Sequence, residues 1–183
     1  MNRRRAAAWF AVVGIVSGAA GLGLYLGLRD SGDPAIEAAA DPRKVAKAVL
    51  AARLADPQGA ERTVGEWRGR VLVVNFWATW CAPCREEIPV FVRMQERYGS
   101  RGLQFIGIAI DQPDKVASFA REFGINYPLL LGSLETMQLV RMAGNRAGVL
   151  PYTLVLDRAG NLVSRELGGL KEARLDSLIR PLF

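Results

Sequence analysis

Cys81 and Cys84 are the only cysteines in a chain of 183 residues that has no histidine. Two thiols three positions apart can close into a disulfide and reopen, so the pair can carry two electrons. They lie in the stretch Trp80-Cys81-Ala82-Pro83-Cys84. The run before them, Val71 to Trp77, is apolar except for Asn75 and too short for a globular helix, which suits a buried strand. The residues after them read as a helix, so the pair stands where a strand feeds a helix. A helix's first turn carries unpaired N–H groups and a partial positive charge, and both favour an anion. Cys81, at that end, has its thiolate stabilised. An ordinary cysteine with pKa about 8.5 is roughly 10% thiolate at pH 7.5, and one near 7 would be roughly three-quarters thiolate. Cys84 lies one turn further in, with its sulfur less exposed. It can attack a mixed disulfide on Cys81 and release the partner reduced.

Other uses of two cysteines fit less well. A purely structural bridge across two residues closes a tiny loop and constrains the unfolded chain little. Zinc needs four cysteine, histidine or carboxylate ligands, and the chain has neither histidine nor a second cysteine pair, so no metal is expected. Covalent haem needs C-x-x-C-H, and Arg85 follows Cys84. The redox pair needs no cofactor beyond its own disulfide.

The elements that must position this pair are legible along the chain. Half of the residues are hydrophobic, enough for a proper core. The length suits one domain plus a small appendage. Net charge is +6, but the only dense basic cluster is Arg3, Arg4 and Arg5. It precedes an apolar segment, which argues for membrane topology and against nucleic acid as a partner. Trp9 to Leu28 carries no charge, and about 20 residues of helix, some 30 Å, cross a hydrocarbon core. The expectation is a single-pass inner-membrane anchor over residues 1–28, with the arginines in the cytoplasm and the rest in the periplasm. The alternative is a cleaved signal peptide and a soluble periplasmic protein, since Ser17 to Ala19 is a tolerable cleavage pattern. Residues 29–44, with two Asp-Pro steps and a run of alanines, read as a linker. A domain over residues 45–183 follows.

Within it, Val49 to Leu54 and Arg62 to Val64 flank the turn Asp56-Pro57-Gln58-Gly59 and predict a β-hairpin. Ile88, Phe91, Val92, Gln95 and Tyr98 form a stripe at helical spacing after the cysteines, with Pro89 inside and Gly99 as the expected stop. Leu103 to Ile110 is a second buried strand. Asp111 or Gln112 caps a helix with Pro113 near its first position. Tyr127 to Leu131 is extended, and Ser133 starts another helix. Tyr152 to Leu156 is a third strong strand, Asn161 to Leu167 returns, and a helix with Leu175, Leu178, Ile179 and Leu182 closes the chain. The pattern is an α/β fold: a central mixed sheet with helices on both faces, an N-terminal β-hairpin and a strand/helix insert.

The block Asn75-Phe76-Trp77-Ala78-Thr79-Trp80-Cys81-Ala82-Pro83-Cys84-Arg85-Glu86-Glu87-Ile88-Pro89 resembles the active-site block of the TlpA/ResA-like branch of the thioredoxin superfamily. Gly148-Val149-Leu150-Pro151-Tyr152-Thr153-Leu154-Val155-Leu156-Asp157 resembles that branch's second landmark. The similarity runs from about Val49 to the C-terminus, and a membrane anchor fits the branch. The resemblance implies a thioredoxin-like fold and a disulfide reductase with Cys81 and Cys84 catalytic. Trp80, Ala82, Pro83, Leu150 and Pro151 would meet the substrate. It implies a cis Pro151 facing the cysteines, and a Leu150 backbone that pairs with an extended substrate segment. Implied partners are exported proteins with disulfides or thiols, apocytochrome c among them, and a membrane thiol–disulfide electron donor. The segment before Pro151 lacks the G-V-x-G-A-P-E pattern of the dedicated cytochrome-maturation members.

Two positions depart from the pattern. Many thioredoxins carry a buried aspartate where this chain has Asn75, and some members carry glutamate where it has Ala82. Both usual carboxylate relays to the resolving thiol are therefore missing. Glu87 matches an acidic position common in the branch. The ordinary role for such a carboxylate is a solvated or ion-paired one, and a proton relay is the alternative. Two other functions compete. A peroxidase on this fold needs threonine or serine three positions before the reactive cysteine; here that position is Ala78, with Thr79 one step off. A non-catalytic chaperone or binding module would keep the pair as an oxidised staple.

Overall fold

The computed structural model describes residues 41–183. The expected anchor, its arginines and most of the linker lie outside the described residues. The first element is helix α1 (Pro42–Leu50), which begins inside the expected linker and takes in Val49, expected as strand. Asp41 caps it, accepting from the Arg43 N–H at 2.9 Å, and Pro42 starts it where a missing N–H costs nothing. Val45, Ala46 and Val49 form its buried face. The hairpin is correspondingly shorter: β1 (Arg53–Ala55) pairs antiparallel with β2 (Glu61–Thr63). Asp56 holds its turn, accepting from the Gln58 and Ala60 N–H groups at 2.9 Å each.

The main sheet has five strands: β3 (Val71–Trp77), β4 (Leu103–Ala109), β5 (Leu129–Leu131), β6 (Tyr152–Leu156) and β7 (Leu162–Leu167), in the order β5-β4-β3-β6-β7. β3, β4 and β5 run parallel, while β6 is antiparallel to β3 and β7 to β6. Helix α2 (Ala82–Tyr98) crosses from β3 to β4, and α3 (Pro113–Glu122) from β4 to β5. Helix α4 (Leu134–Met142) leads toward β6, and α5 (Glu172–Ile179) closes the chain. Helix α2 stops at Gly99, as expected, which caps it with right-handed backbone. A 3-10 turn continues to Arg101, and Gly102 takes φ 96° before β4.

All seven residues of β3 are buried, which is what a central strand covered on both faces requires. Val71, Val73 and Trp77 face the α2, α3 and α5 side with Ile88, Phe91, Phe119 and Leu175. Leu72, Val74 and Phe76 face the α1 and α4 side with Val45, Val49, Leu139 and Val140. Helices thus cover both faces, and β3, the strand leading to the cysteines, sits at the sheet's centre.

Gly107 stands beside Asn75 in the register. A Cβ there would meet Leu129 Cδ2 at 2.6 Å and Trp77 Nε1 at 3.0 Å, so a larger residue must displace the Leu129 side chain. Gly107→Ala should lower stability by about 1–3 kcal/mol through overpacking. Urea unfolding would show it as a shift in midpoint at unchanged slope.

Candidate active site

Helix α2 starts directly after the turn Ala78 to Trp80. Cys81 is its N-cap, with extended backbone (φ −87°, ψ 108°), and Cys84 lies in its first turn. The two are joined as a disulfide with Cα atoms 5.3 Å apart. Cys84 is fully buried, Cys81 is 6% exposed, and Trp80 before it is 69% exposed. Ala82 and Pro83 are exposed. Cys81 thus keeps slight access to solvent at the helix end, and Cys84 has none. Pro83 also supplies the fixed φ that suits a first turn.

The Leu150–Pro151 peptide is cis. Tyr152 pairs with Phe76, so Pro151 stands at the end of the sheet where β3 turns toward Cys81. Leu150 packs against the core cluster that contains both cysteines. The loop before it is held by Asn145, which is 4% exposed. Its side chain donates to the Val149 carbonyl at 2.7 Å and accepts from the Val149 N–H at 3.2 Å.

Beneath the cysteines lies a polar row in an otherwise apolar face. Asn75 on β3 has Gly107 beside it on β4 and Thr153 on β6. One helical turn beyond Cys84, on the same face of α2, Glu87 reaches down to this row. The Asn75 amide donates to Glu87 Oε1 at 2.8 Å and to Thr153 Oγ1 at 3.0 Å. Glu87 Oε2 accepts from the Leu170 N–H at 2.8 Å. Glu87 is only 3% exposed and Asn75 2%. The solvated or ion-paired role expected for Glu87 is therefore corrected: the carboxyl is buried, and its two bonds come from neutral donors. Burial pushes it up to about 7, although the Leu170 N–H and the Asn75 amide both pull the other way. A recess of about 200 Å³ beside this carboxyl is lined by Pro83, Glu86, Glu87, Val90, Leu170 and Lys171 among others.

Cysteine spacing and strand context mark Cys81 and Cys84 in the bare sequence. The burial of Glu87 has no local signal, because its partners lie 12 and 83 residues away. Asn145 carries no sequence signal either, and Asp111 shows in the sequence only as an alternative to Gln112, the N-cap found for α3, not as a partner of the cysteine turn. Among the described residues no cluster of histidine, cysteine or carboxylate groups could hold a metal ion. The chemistry this arrangement supports is thiol–disulfide exchange, with an acid of near-neutral pKa at hand.

A family profile described as Redoxin matches residues 38–179. The chain belongs to the Redoxin family. It is 30% identical over 110 residues to the thiol-disulfide oxidoreductase ResA of Geobacillus thermodenitrificans, covering 60% of this chain and 61% of that one. The chain thus matches less than two-thirds of that relative's length. A ResA of Bacillus thuringiensis is 24% identical over 169 residues, 92% of this chain and 91% of the relative. Among solved structures, a thiol:disulfide interchange protein of the thioredoxin family from Chlorobium tepidum superimposes with TM-score 0.64 at 30% identity, over 72% of this chain and 92% of that one. The fold is thioredoxin-like, with the cysteine pair closed as a disulfide at the start of α2.

The sign of one pH effect follows from Glu87. Its folded value, about 7, lies above the ordinary 4.5 of an unfolded glutamate. The folded protein therefore holds the extra proton between those limits, and stability falls as pH rises through that window. The drop amounts to roughly 3 kcal/mol. Glu87→Gln cannot ionise and should remove this component. Urea midpoints of both proteins from pH 4 to 8 should diverge below pH 7 if Glu87 titrates there, and run parallel if it does not.

Proposed function

We propose that this chain is a thiol–disulfide oxidoreductase that reduces disulfides of exported proteins. The observation that carries the reading is the Cys81–Cys84 disulfide at the start of α2, with the first sulfur at the helix N-cap and the second in the core. In the reduced protein, the Cys81 thiolate attacks one sulfur of a partner's disulfide. The S–S bond breaks, the other partner sulfur leaves as thiolate, and a Cys81–partner mixed disulfide forms. Cys84 then loses its proton to Glu87, and its thiolate attacks the Cys81 sulfur. The partner's second sulfur leaves as thiolate, and the Cys81–Cys84 disulfide remains. Two electrons have passed to the partner. The proton on Glu87 reaches solvent through the recess beside Leu170.

In this reading Trp80, Ala82 and Pro83 meet the substrate on one side, and Leu150 with cis-Pro151 on the other, where an extended segment can add its backbone. Apocytochrome c falls within the substrate class. A peroxidase reading is disfavoured by the turn itself. Ala78 has no hydroxyl, and that of Thr79 donates to Asp111. A Cys84→Ala protein should stall as a mixed disulfide through Cys81 when offered insulin, and Cys81→Ala should form none. Trapping by Cys81→Ala instead would reverse the two roles. Failure of the unaltered reduced protein to reduce insulin would favour a non-catalytic staple.

Among the described residues no helix is long and apolar enough to cross a membrane. We place the anchor at Trp9 to Leu28, on the strength of span length and the arginines before it. The catalytic domain, following a linker, then works in the periplasm and is re-reduced by a membrane thiol–disulfide donor. Fractionation should recover the protein in the inner membrane with residues 1–28 attached. A mature chain beginning near Ala20 in the soluble periplasm would show a cleaved signal instead.

A further inference from the structure

The turn that delivers Cys81 to α2 is held from two sides by charged side chains that the redox step does not use. The residue they hold is Thr79, two positions before Cys81. On one side stands Asp111, just past the end of β4. Its Oδ2 accepts from the Thr79 N–H at 3.3 Å and from the Thr79 hydroxyl. Its Oδ1 accepts from the Gln112 N–H at 2.8 Å. Partial burial works against ionisation here, but the bonds from Thr79 and Gln112 outweigh it and hold the carboxyl below its ordinary value. On the other side stands Arg85, whose Nη1 donates to the Thr79 carbonyl at 3.4 Å. N–H, hydroxyl and carbonyl of Thr79 are all engaged.

Arg85 occupies an unfavourable place for a cation, one turn into a helix, at the positive end of the macrodipole. Its guanidinium folds back off the helix onto the preceding turn. It lies 5.1 Å from the ring centres of both Phe119 and Phe123, which stack 4.0 Å apart. Phe119 in turn packs against Trp77, the last residue of β3, at 5.0 Å. Within the turn, the Cys81 N–H donates to the Ala78 carbonyl at 3.2 Å, and the Cys81 carbonyl accepts from the Arg85 N–H at 3.1 Å. A side chain that departs from a local preference and is then fixed by four neighbours marks a constraint other than helix stability.

We infer that Asp111 and Arg85 act as a clamp on Thr79 that positions Cys81 and thereby sets the stability of its thiolate. The thiolate gains from the unpaired N–H groups only if the sulfur stays at the helix end, an effect confined to the first turn. The charged groups around it are Arg85, Glu86 and Glu87 at the start of α2, Asp111 after β4, and Asp114, Lys115, Arg121 and Glu122 on α3; Glu122 stands 4.0 Å from Arg85. A stabilised thiolate favours the reduced pair and makes the protein a weaker reductant, so a loosened clamp should make it a stronger one. The inference rests on the reading of Cys81 as the attacking sulfur.

The test is alkylation of the reduced protein with iodoacetamide across pH, with mass spectrometry locating the label, together with the thiol–disulfide equilibrium against glutathione. Thr79→Val removes the hydroxyl and keeps every charge. Asp111→Ala removes the acceptor, and Asp111→Asn removes the charge but leaves an oxygen for Thr79. Thr79→Val and Asp111→Ala should raise the Cys81 midpoint, so that its thiolate fraction at pH 7 falls about threefold to tenfold. The equilibrium should move toward the disulfide by the same factor, about 15–30 mV. Asp111→Asn should not raise the midpoint, since losing a nearby negative charge favours the thiolate. The clamp is overturned if Thr79→Val keeps the midpoint and equilibrium of the unaltered protein and only unfolds more readily. It is also overturned if Asp111→Asn raises the midpoint as much as Asp111→Ala. Should Asp111→Ala fail to fold, Thr79→Val decides alone. Labelling of Cys84 before Cys81 in the unaltered protein would overturn the assignment of the attacking sulfur, and the clamp with it.

Discussion

The carboxyl of Glu87 sits between the Asn75 amide and the Leu170 N–H, and this contact ties the site to the sheet. It joins α2, the centre of β3 and the loop before α5; through Asn75 it also reaches Thr153 on β6. A buried carboxylate is costly unless it is paired or well bonded. Two neutral donors satisfy its geometry without cancelling the desolvation, and the group holds its proton up to about neutral pH. The same feature that makes Glu87 a poor contributor to stability at high pH gives it the near-neutral value that suits a general base at working pH.

Asn75 then has a physical role of its own. It faces Glu87 across 2.8 Å and supplies the donor that a carboxyl acceptor needs. An aspartate at 75 would set two carboxyls against each other, and they would have to share a proton. The amide at 75 and the acid at 87 are thus two halves of one arrangement, with the titrating group on the cysteine helix instead of on the strand. Above it, the sulfur chemistry depends on the helix end. Cys81 at the N-cap, Cys84 in the first turn and Pro83 between them leave N–H groups free to favour a thiolate.

The parts legible in the sequence were those with local causes. β3, β4 and β6 announced themselves as short apolar runs, and α2 as a stripe leading from Ile88 to Tyr98. The cysteine pair followed from its place between strand and helix, and the resemblance pointed to a cis Pro151. The parts that escaped depend on distant partners. α1 carries local signals, Asp41 before Pro42 and an apolar stripe of Val45, Ala46 and Val49, but it adjoins the alanine run of the linker, and packing of that stripe against the sheet fixes it as a helix. Gly99 was legible as the stop of α2, but the 3-10 turn after it and the left-handed Gly102 were not. Glu87 beside Glu86 reads as a surface pair, and only folding sends one inward while the other stays exposed. Asp111 and Asn145 are ordinary polar residues until the turn and loop they hold are in place.

The central claim is that Glu87 takes the proton from Cys84 during resolution. Stopped-flow measurement of the step in which Cys84 releases a model thiol from Cys81, followed from pH 5 to 9 in the unaltered protein and in Glu87→Gln, addresses it directly. The unaltered rate should rise with a midpoint near 7, the value burial gives Glu87. The glutamine protein should be slower at pH 7 by about fifteenfold, with its rise displaced toward the ordinary thiol value of about 8.5. Superimposable profiles for the two proteins would contradict it.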